Sequence, residues 1–345
     1  MILVVSTEHD RHARVVARQV DREGGDARLL DLSEFPRDLR LTIDYDDGRP
    51  DARLRHADAS EDLPLSECNV VWWRRPQQFA LPESVERRED YQFAYNECQS
   101  AFDGLWSLLD AEWVNHPLSD ERAGRKPYQL RVADEVGFDI PETCITNDPE
   151  RARAFVNERG PEQTVYKAFS ATEEAWRETR ILEPDELELL GSVQFAPVIF
   201  QEYVPADADL RVTVVGDETF TAAIDAGDTS YPVDFRMAMD EARFERFDLP
   251  ESARETVLAF TDRLGLSYAA IDLRYTSDGE FVFLEVNPAG QWLFAERRAG
   301  PDYGGVRRPP AGEGRTDRPG RTVRPELVPL SRPEIVCSRR ISART

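Results

Sequence analysis

The sequence predicts an α/β chain in which an N-terminal α/β unit precedes two α+β subdomains, and three observations predict it. Strand-like apolar runs alternate with helix-like stretches over residues 1–115, as in a layered α/β domain. Residues 116–203 keep both element types in a different rhythm. Residues 204–298 carry two hairpin signals, around Gly216-Asp217 and Ser277-Asp278-Gly279.

In the first part, residues 2–6 read as a buried strand. Residues 9–23 read as a helix with Val15, Val16 and Val20 on one side, ended by Gly24-Gly25. A strand follows at 27–32, and 39–45 and 52–57 flank Asp46-Asp47-Gly48 as a hairpin. Residues 69–75 form a strand ending in Arg74 and Arg75, which fit either an anion site or a surface salt bridge. A long helix at 83–110 and a strand and turn at 113–117 close the unit. In the second part, one helix is expected over 120–136, ended by Gly137 and Pro141, then a strand at 140–145. Asn147-Asp148-Pro149-Glu150 is a helix start, with a capping side chain and Pro at the first position. Strands at 164–168 and 197–204 carry Lys167 and Gln201-Glu202-Tyr203. In the third, a hairpin at 210–225, a helix at 252–264 and a hairpin of 268–275 with 280–287 are expected. Residues 299–345 have little apolar periodicity and hold ten Arg against five acids. They read as a disordered tail, with a basic arm or a reading-frame change in GC-rich DNA as alternatives.

The chain has 345 residues, 41% of them hydrophobic, and a formal net charge of −23. That bulk acidity argues against nucleic acid as a partner. Of 43 basic residues only Lys126 and Lys167 are lysine. An acidic surface with Arg in place of Lys resembles proteins of salt-loving organisms; GC-rich codon bias with ordinary acidity is the alternative, and composition does not separate them. Cys68, Cys98, Cys144 and Cys337 lack metal-ligand spacing, which implies a reduced, cytoplasmic protein without a zinc site. No apolar run approaches the roughly 20 residues of a membrane span, and no signal peptide precedes the first strand.

The last hairpin carries the chemistry. Alternation places Glu285 and Asn287 on one face. With a four-residue loop, Thr276 pairs with Phe281 and Asp272 falls opposite Glu285; a shorter loop makes that facing diagonal. Facing carboxylates repel, and a bound cation removes the objection. Asp, Glu and Asn offer only oxygen, which suits Mg²⁺ or Mn²⁺. A solvated polar face is the alternative, but the neighbouring Phe, Val, Leu and Ile imply burial. Lys126 and Lys167 are the second clue: a compact ammonium serves phosphate oxygens as a point charge, where an Arg fork has other geometry. Chance survival of two surface lysines is the alternative, and the apolar run Val165-Tyr166-Lys167-Ala168-Phe169 counts against it. Neither GxxxxGK[ST] nor GxGxxG is present.

In this order, these features resemble the ATP-grasp superfamily over residues 115–298. The resemblance implies that Lys126 and Lys167 hold ATP phosphates. It implies that Glu202, Tyr203 and Val204, in Gln201-Glu202-Tyr203-Val204, hold adenine through a carboxylate and backbone groups, and that Asp209 meets the ribose. It further implies that Asp272, Glu285 and Asn287 bind Mg²⁺. Asn115-His116-Pro117, Lys126-Pro127-Tyr128-Gln129-Leu130 and Glu285-Val286-Asn287-Pro288-Ala289-Gly290-Gln291-Trp292 are similar to the MvdD/MvdC-type group related to RimK. Trp72-Trp73-Arg74-Arg75-Pro76 is similar to that group's pre-ATP-grasp domain. The characterised members are graspetide synthetases, which join side chains of a ribosomal precursor peptide as esters or amides.

The resemblance therefore implies an α+β ATP-grasp ligase with a pre-ATP-grasp domain at 1–115, a central subdomain at 116–203 and a metal-bearing subdomain at 204–298. It would be ADP-forming and act through an acylphosphate on a carboxylate substrate, with a precursor peptide as partner, no membrane and a homodimer left open. Arg211 and Arg274 are the candidates for steadying the transferred phosphoryl group, each balanced by a structural ion pair. Arg236 is a weaker candidate, and Trp292 fits the core better than a substrate contact. A ligase for small molecules, like RimK or glutathione synthetase, and an ATP-binding protein without catalysis are the rival readings. Two departures from the pattern stand out. The loop after Lys167 lacks the usual glycines, and the Arg/Pro-rich tail replaces the helix expected after Gln291-Trp292.

Overall fold

The computed structural model describes residues 1–169, 179–225, 227, 229, 235–237 and 239–299. Expectations for the loop beyond Phe169 and the tail beyond Ala299 fall outside the described residues. The described chain divides into two units, residues 1–120 with 266–268, and residues 121–265 with 269–299.

In the first unit, β1 (Ile2–Val5) is buried throughout, as a central parallel strand of continuous apolar sequence should be. Next come α1 (Arg11–Arg22) and β2 (Ala27–Leu30), then the hairpin β3 (Leu39–Asp46) and β4 (Arg49–His56). Asp47 and Gly48 both have positive φ, 48° and 77°, the type I′ turn that matches strand twist. Both strands therefore run up to the turn, beyond the lengths expected from sequence. The unit continues with β5 (Leu63–Pro64), β6 (Val70–Trp73), α2 (Arg88–Leu108) and β7 (Glu112–Val114). The main sheet has the order β2-β1-β6-β7 and is wholly parallel. Leu3, Val5, Val71, Phe102, Leu105 and Trp106 form its core. Asn115 is buried; its Nδ2 donates to Tyr268 O at 2.9 Å, and its Oδ1 accepts from Ser267 N at 2.8 Å.

Arg74 corrects an expectation. It is 1% exposed, and its Nε donates to Asp10 Oδ2 at 3.1 Å. It therefore belongs to a buried ion pair, neither a surface bridge nor an open anion site. Asp10 also caps α1, accepting from His12 N at 2.7 Å. Burial alone would raise the Asp10 carboxyl, but His12 and Arg74 outweigh it and hold the group well below the usual carboxylate range. A depressed folded pKa contributes stability above the unfolded value of about 3.9, lost as pH falls toward the folded one. Asp10→Asn keeps the cap and loses the charge. It is expected to destabilise the protein at pH 7 by about 3–5 kcal/mol, with the gap to the parent closing on acidification. Urea unfolding across the acid range measures both; an equal gap at every pH would refute the charge account.

The helix expected over 120–136 is two helices, α3 (Pro117–Ala123) and α4 (Lys126–Val136), with Arg125 as the N-cap of α4. Pro127 is the cause: it lacks an N–H and clashes with the preceding turn inside a helix, but fits the first turn of a new one. The break makes Lys126 the first residue of α4. Gly137, at φ 96°, ends α4. Then follow β8 (Thr143–Thr146), α5 (Pro149–Arg159), β9 (Thr164–Lys167), β10 (Arg180–Ile181) and β11 (Val198–Glu202). Asp148 caps α5 by accepting from Glu150 N at 2.9 Å. The sheet β10-β9-β11-β8 packs on a cluster containing Phe155, Val156, Leu190 and Phe200.

The remaining elements are β12 (Ala208–Val215), β13 (Glu218–Asp225), β14 (Arg243–Arg246), α6 (Glu251–Leu264), β15 (Tyr268–Tyr275), β16 (Phe281–Asn287) and α7 (Leu293–Arg298). The sheet order is β14-β13-β12-β15-β16, so β16 is an edge. Phe138, Phe260 and Phe283 pack together beneath it. α7 is a correction, since a helix does follow Trp292, through Arg298. Trp292 itself is 1% exposed, so it is core.

Candidate active site

All the candidate site residues lie in the second unit. Asp272 and Glu285 face each other, by a route the sequence did not anticipate. Tyr275 pairs with Phe281, so the loop has one residue more than the expected four, and Thr276 does not pair with Phe281. Gly279, at φ 84°, donates to Thr276 O at 2.9 Å within that loop. Leu273 then pairs with Phe283 and Asp272 with Glu285, which leaves Leu284 as a bulge. The bulge returns the residue of register that the longer loop removes.

Each acid is met by a cation. Lys126 Nζ donates to Glu285 Oε2 at 2.6 Å, and Arg211 Nη1 donates to both oxygens of Asp272, at 2.7 and 2.8 Å. Arg236 Nη1 lies 3.8 Å from Glu285 Oε1. A second ion pair, Arg274 Nε to Asp209 Oδ1 at 3.1 Å, joins the same two strands. Asp209 and Arg211 share a face of β12, as Asp272 and Arg274 share one of β15. The result is two reciprocal Asp–Arg pairs. Both arginines are thus found in ion pairs, the reading that stood level with a direct phosphoryl contact. The Asp209 carboxylate, expected at a ribose, is buried against Arg274. Arg274 also lies over the Tyr203 ring, 5.6 Å from its centroid.

On the neighbouring sheet, Lys167 pairs with Ile199. Gln201, two residues on, therefore shares its face, and Lys167 Nζ donates to Gln201 Oε1. Gln201 Nε2 donates to Thr143 Oγ1 at 2.9 Å. Glu202 points to the other face, is exposed, and accepts from Glu142 N at 3.3 Å. Tyr203 N donates to Gln163 O at 2.9 Å. Asn287 is exposed at the end of β16, with its Oδ1 accepting from Ala289 N at 2.9 Å.

The electrostatics couple these groups. Burial pulls Lys167 down to about 8, opposed by Glu285 and assisted by Lys126, Arg274 and Arg236. Burial would raise Glu285, but Lys126 and Lys167 bring it down to about 2. Asp272 is raised by burial, with Arg211 opposing and Glu285 adding to the rise. Two lysines, three arginines and two facing acids thus share one field, arranged to receive a polyanion together with a cation.

Two residues of this site escaped sequence reasoning. Gln201 is visible only as the residue before Glu202, and strand parity in the folded sheet decides which of the two reaches Lys167. Gln129 is buried, and its carboxamide bonds to the backbone of Val286. Its signal was its place three residues after Lys126, which puts both on one face of a helix.

Residues 125–304, more than half of the chain, match the family model of the RimK-like ATP-grasp domain. The chain belongs to the RimK-like ATP-grasp family. Residues 1–121 match the MvdD pre-ATP grasp domain. ATP-grasp enzymes use ATP and Mg²⁺, and the ATP-grasp ligase fold accounts for the mixture of helices and sheets described above. Among solved structures, the chain is similar to the macrocyclase MdnC from Microcystis aeruginosa, bound with precursor peptide MdnA. The identity is 28% and the TM-score 0.75, over 88% of this chain and 96% of that one. It is also similar to a RiPP-associated ATP-grasp ligase of Chryseobacterium gregarium, solved with ADP and a leader and core peptide. Here the identity is 26% and the TM-score 0.76, over 85% of this chain and 90% of that one. The macrocyclase MdnB of Microcystis aeruginosa is 28% identical, with a TM-score of 0.70. No curated protein matches. Among the described residues, no helix of this ATP-grasp ligase is long and apolar enough to cross a membrane.

The donor set fits the family's metal. Asp272, Glu285 and Asn287 offer oxygen ligands, the acid pair is half-buried and directly opposed, and positive side chains sit on both carboxylates. Among the described residues no cluster of three His, Cys, Asp or Glu occurs.

Proposed function

We propose that this chain activates a side-chain carboxylate of a ribosomal precursor peptide and joins it to a hydroxyl or amine of the same peptide as an ester or amide. The supporting observation is the likeness to MdnC along nearly the full length of both chains, pre-ATP-grasp domain included. Lys126 and Lys167 hold the ATP phosphates, and the backbone of Glu202, Tyr203 and Val204 borders the adenine. A carboxylate oxygen attacks the γ-phosphorus, the bond to the β-phosphate oxygen breaks, and ADP leaves. The hydroxyl or amine then attacks the acyl carbon of the acylphosphate, loses its proton and releases phosphate. Arg211 and Arg274, fixed by their ion pairs, place positive charge where the phosphoryl group transfers. Asp272, Glu285 and Asn287 would hold Mg²⁺, or Mn²⁺, which when bound offsets charge on the β- and γ-phosphates. We place the protein in the cytoplasm, where ATP and a newly made peptide are both present.

Co-expression with candidate peptides rich in Thr or Ser and Asp or Glu, encoded beside this gene, tests the reading. The expected product has lost one water per crosslink by mass spectrometry. Unchanged peptides, combined with ADP release on a free amino acid, would select a small-molecule ligase. ATP binding without turnover on any acceptor would mean no catalysis.

A further inference from the structure

β16 is an edge strand, yet two of the three residues that would hold the metal, Glu285 and Asn287, lie on it. An edge strand presents backbone groups that something must satisfy. Phe283 N donates to Asp139 O at 2.8 Å. At Val286, between Glu285 and Asn287, the partner is the side chain of Gln129. Val286 N donates to Gln129 Oε1 at 3.2 Å, and Gln129 Nε2 donates to Val286 O at 3.0 Å and to Ala123 O at 2.7 Å. Val286 and Gln129 are 4% and 3% exposed, so water is not a ready substitute. One carboxamide therefore pairs with a strand residue as a neighbouring strand would. It does so from the helix whose first residue, Lys126, bonds Glu285.

We infer that Gln129 is a positioning residue, which fixes the height of Glu285 and Asn287 against Lys126 by closing the edge of β16 at Val286. The inference deepens the proposed function and rests on its metal trio. Lys126 and Gln129 are three positions apart on α4, so the two side chains lie one above the other. They grip consecutive residues of β16, one by its carboxylate and the other by its backbone. The third bond, to Ala123, ties the end of α3 to the same carboxamide. Neither aliphatic nor carboxylate side chains supply one acceptor and two donor bonds together.

The test uses the full-length protein and Gln129→Met, of similar shape without polar atoms. Val156→Ala, in the Phe155–Phe200 cluster, is the control for general destabilisation. Amide exchange in the metal-free protein is expected to quicken at Val286 by roughly threefold to tenfold in Gln129→Met and not in Val156→Ala. In the presence of ADP, the Mn²⁺ dissociation constant, read by electron paramagnetic resonance, is expected to rise about 10–100-fold in Gln129→Met only. Gln129→Ala removes the same three bonds and leaves space in which water can partly replace them, so it should fall between the parent and Gln129→Met. It also supplies the answer if Gln129→Met does not fold. Unchanged exchange at Val286, or unchanged Mn²⁺ affinity with faster exchange, would overturn the positioning role. Failure of the parent protein to bind Mn²⁺ with ADP would overturn the metal reading itself, a result distinct from either.

Discussion

Lys167→Ala is expected to lower Mg²⁺-dependent ADP formation by about 10²–10³-fold, the cost typical of removing one aimed electrostatic group. The fold should survive. Lys167 is a desolvated cation, pulled down to about 8 by burial, and deleting it removes a group that is itself costly to bury. Its partner Gln201 retains Thr143. Lys167→Arg is expected to restore little, since a planar fork does not reproduce a compact ammonium in an enclosed site. Asp272→Asn should cause a loss of similar size by another route. It leaves the bidentate Arg211 without its counter-charge and removes one acid from the facing pair. A coupled ADP assay, with thermal unfolding of each variant alongside, distinguishes lost chemistry from lost fold. Wild-type turnover in Lys167→Ala or in Asp272→Asn would remove the site assignment.

Gly290→Ala is expected to have the largest effect on stability of any small substitution near the site. A Cβ on Gly290 would lie 2.2 Å from Ala270 Cβ, 3.0 Å from Arg211 Nη2 and 3.2 Å from Asn287 O. Two of these neighbours are fixed by the backbone, so the segment after β16 must move. Overpacking of this kind costs about 1–3 kcal/mol, with a melting shift of roughly 2–4 °C per kcal/mol in a unit of this size. Arg211 Nη2 also donates to Gln291 O at 3.1 Å, so displacement here should carry the guanidinium away from Asp272 and lower activity as well. Ala270→Gly combined with Gly290→Ala removes the worst contact and should recover most of the melting temperature. Differential scanning calorimetry on the two single variants and the double gives the answer. A double variant no more stable than Gly290→Ala would show that the crowding lies elsewhere.

Much of the fold was legible because local chemistry agreed with it. The turns at Asp47-Gly48 and Gly279, the Asp148 cap and the Gly137 stop act within a few residues, and each stands where the sequence indicated. Longer elements were less secure. The helix over 120–136 was read through Pro127, because apolar spacing continues across a break that proline dictates. The helix after Trp292 was overlooked because six residues are too few for a period to show. At the site, residue types announced the chemistry while partners stayed hidden. Arg211 and Arg274 were chosen for their place near Asp209 and Asp272, yet cross-strand pairing alone revealed that each arginine is held by one of those acids.

The sequence by itself determined which groups the chain offers to the proposed nucleotide site: two lysines in a chain of arginines, and an acid–acid–amide trio on a hairpin. These follow from residue identity and from strand parity, which operate over short distances. Tertiary structure alone decided how they meet. A loop one residue longer and a bulge at Leu284 offset each other, so the facing of Asp272 and Glu285 depends on two features whose sum, not either part, sets the register. Likewise Gln129 reaches Val286 across 157 residues of chain. Such a contact exists only once α4 has packed beside an open strand edge, because an unsatisfied backbone group has no partner encoded in its own neighbourhood.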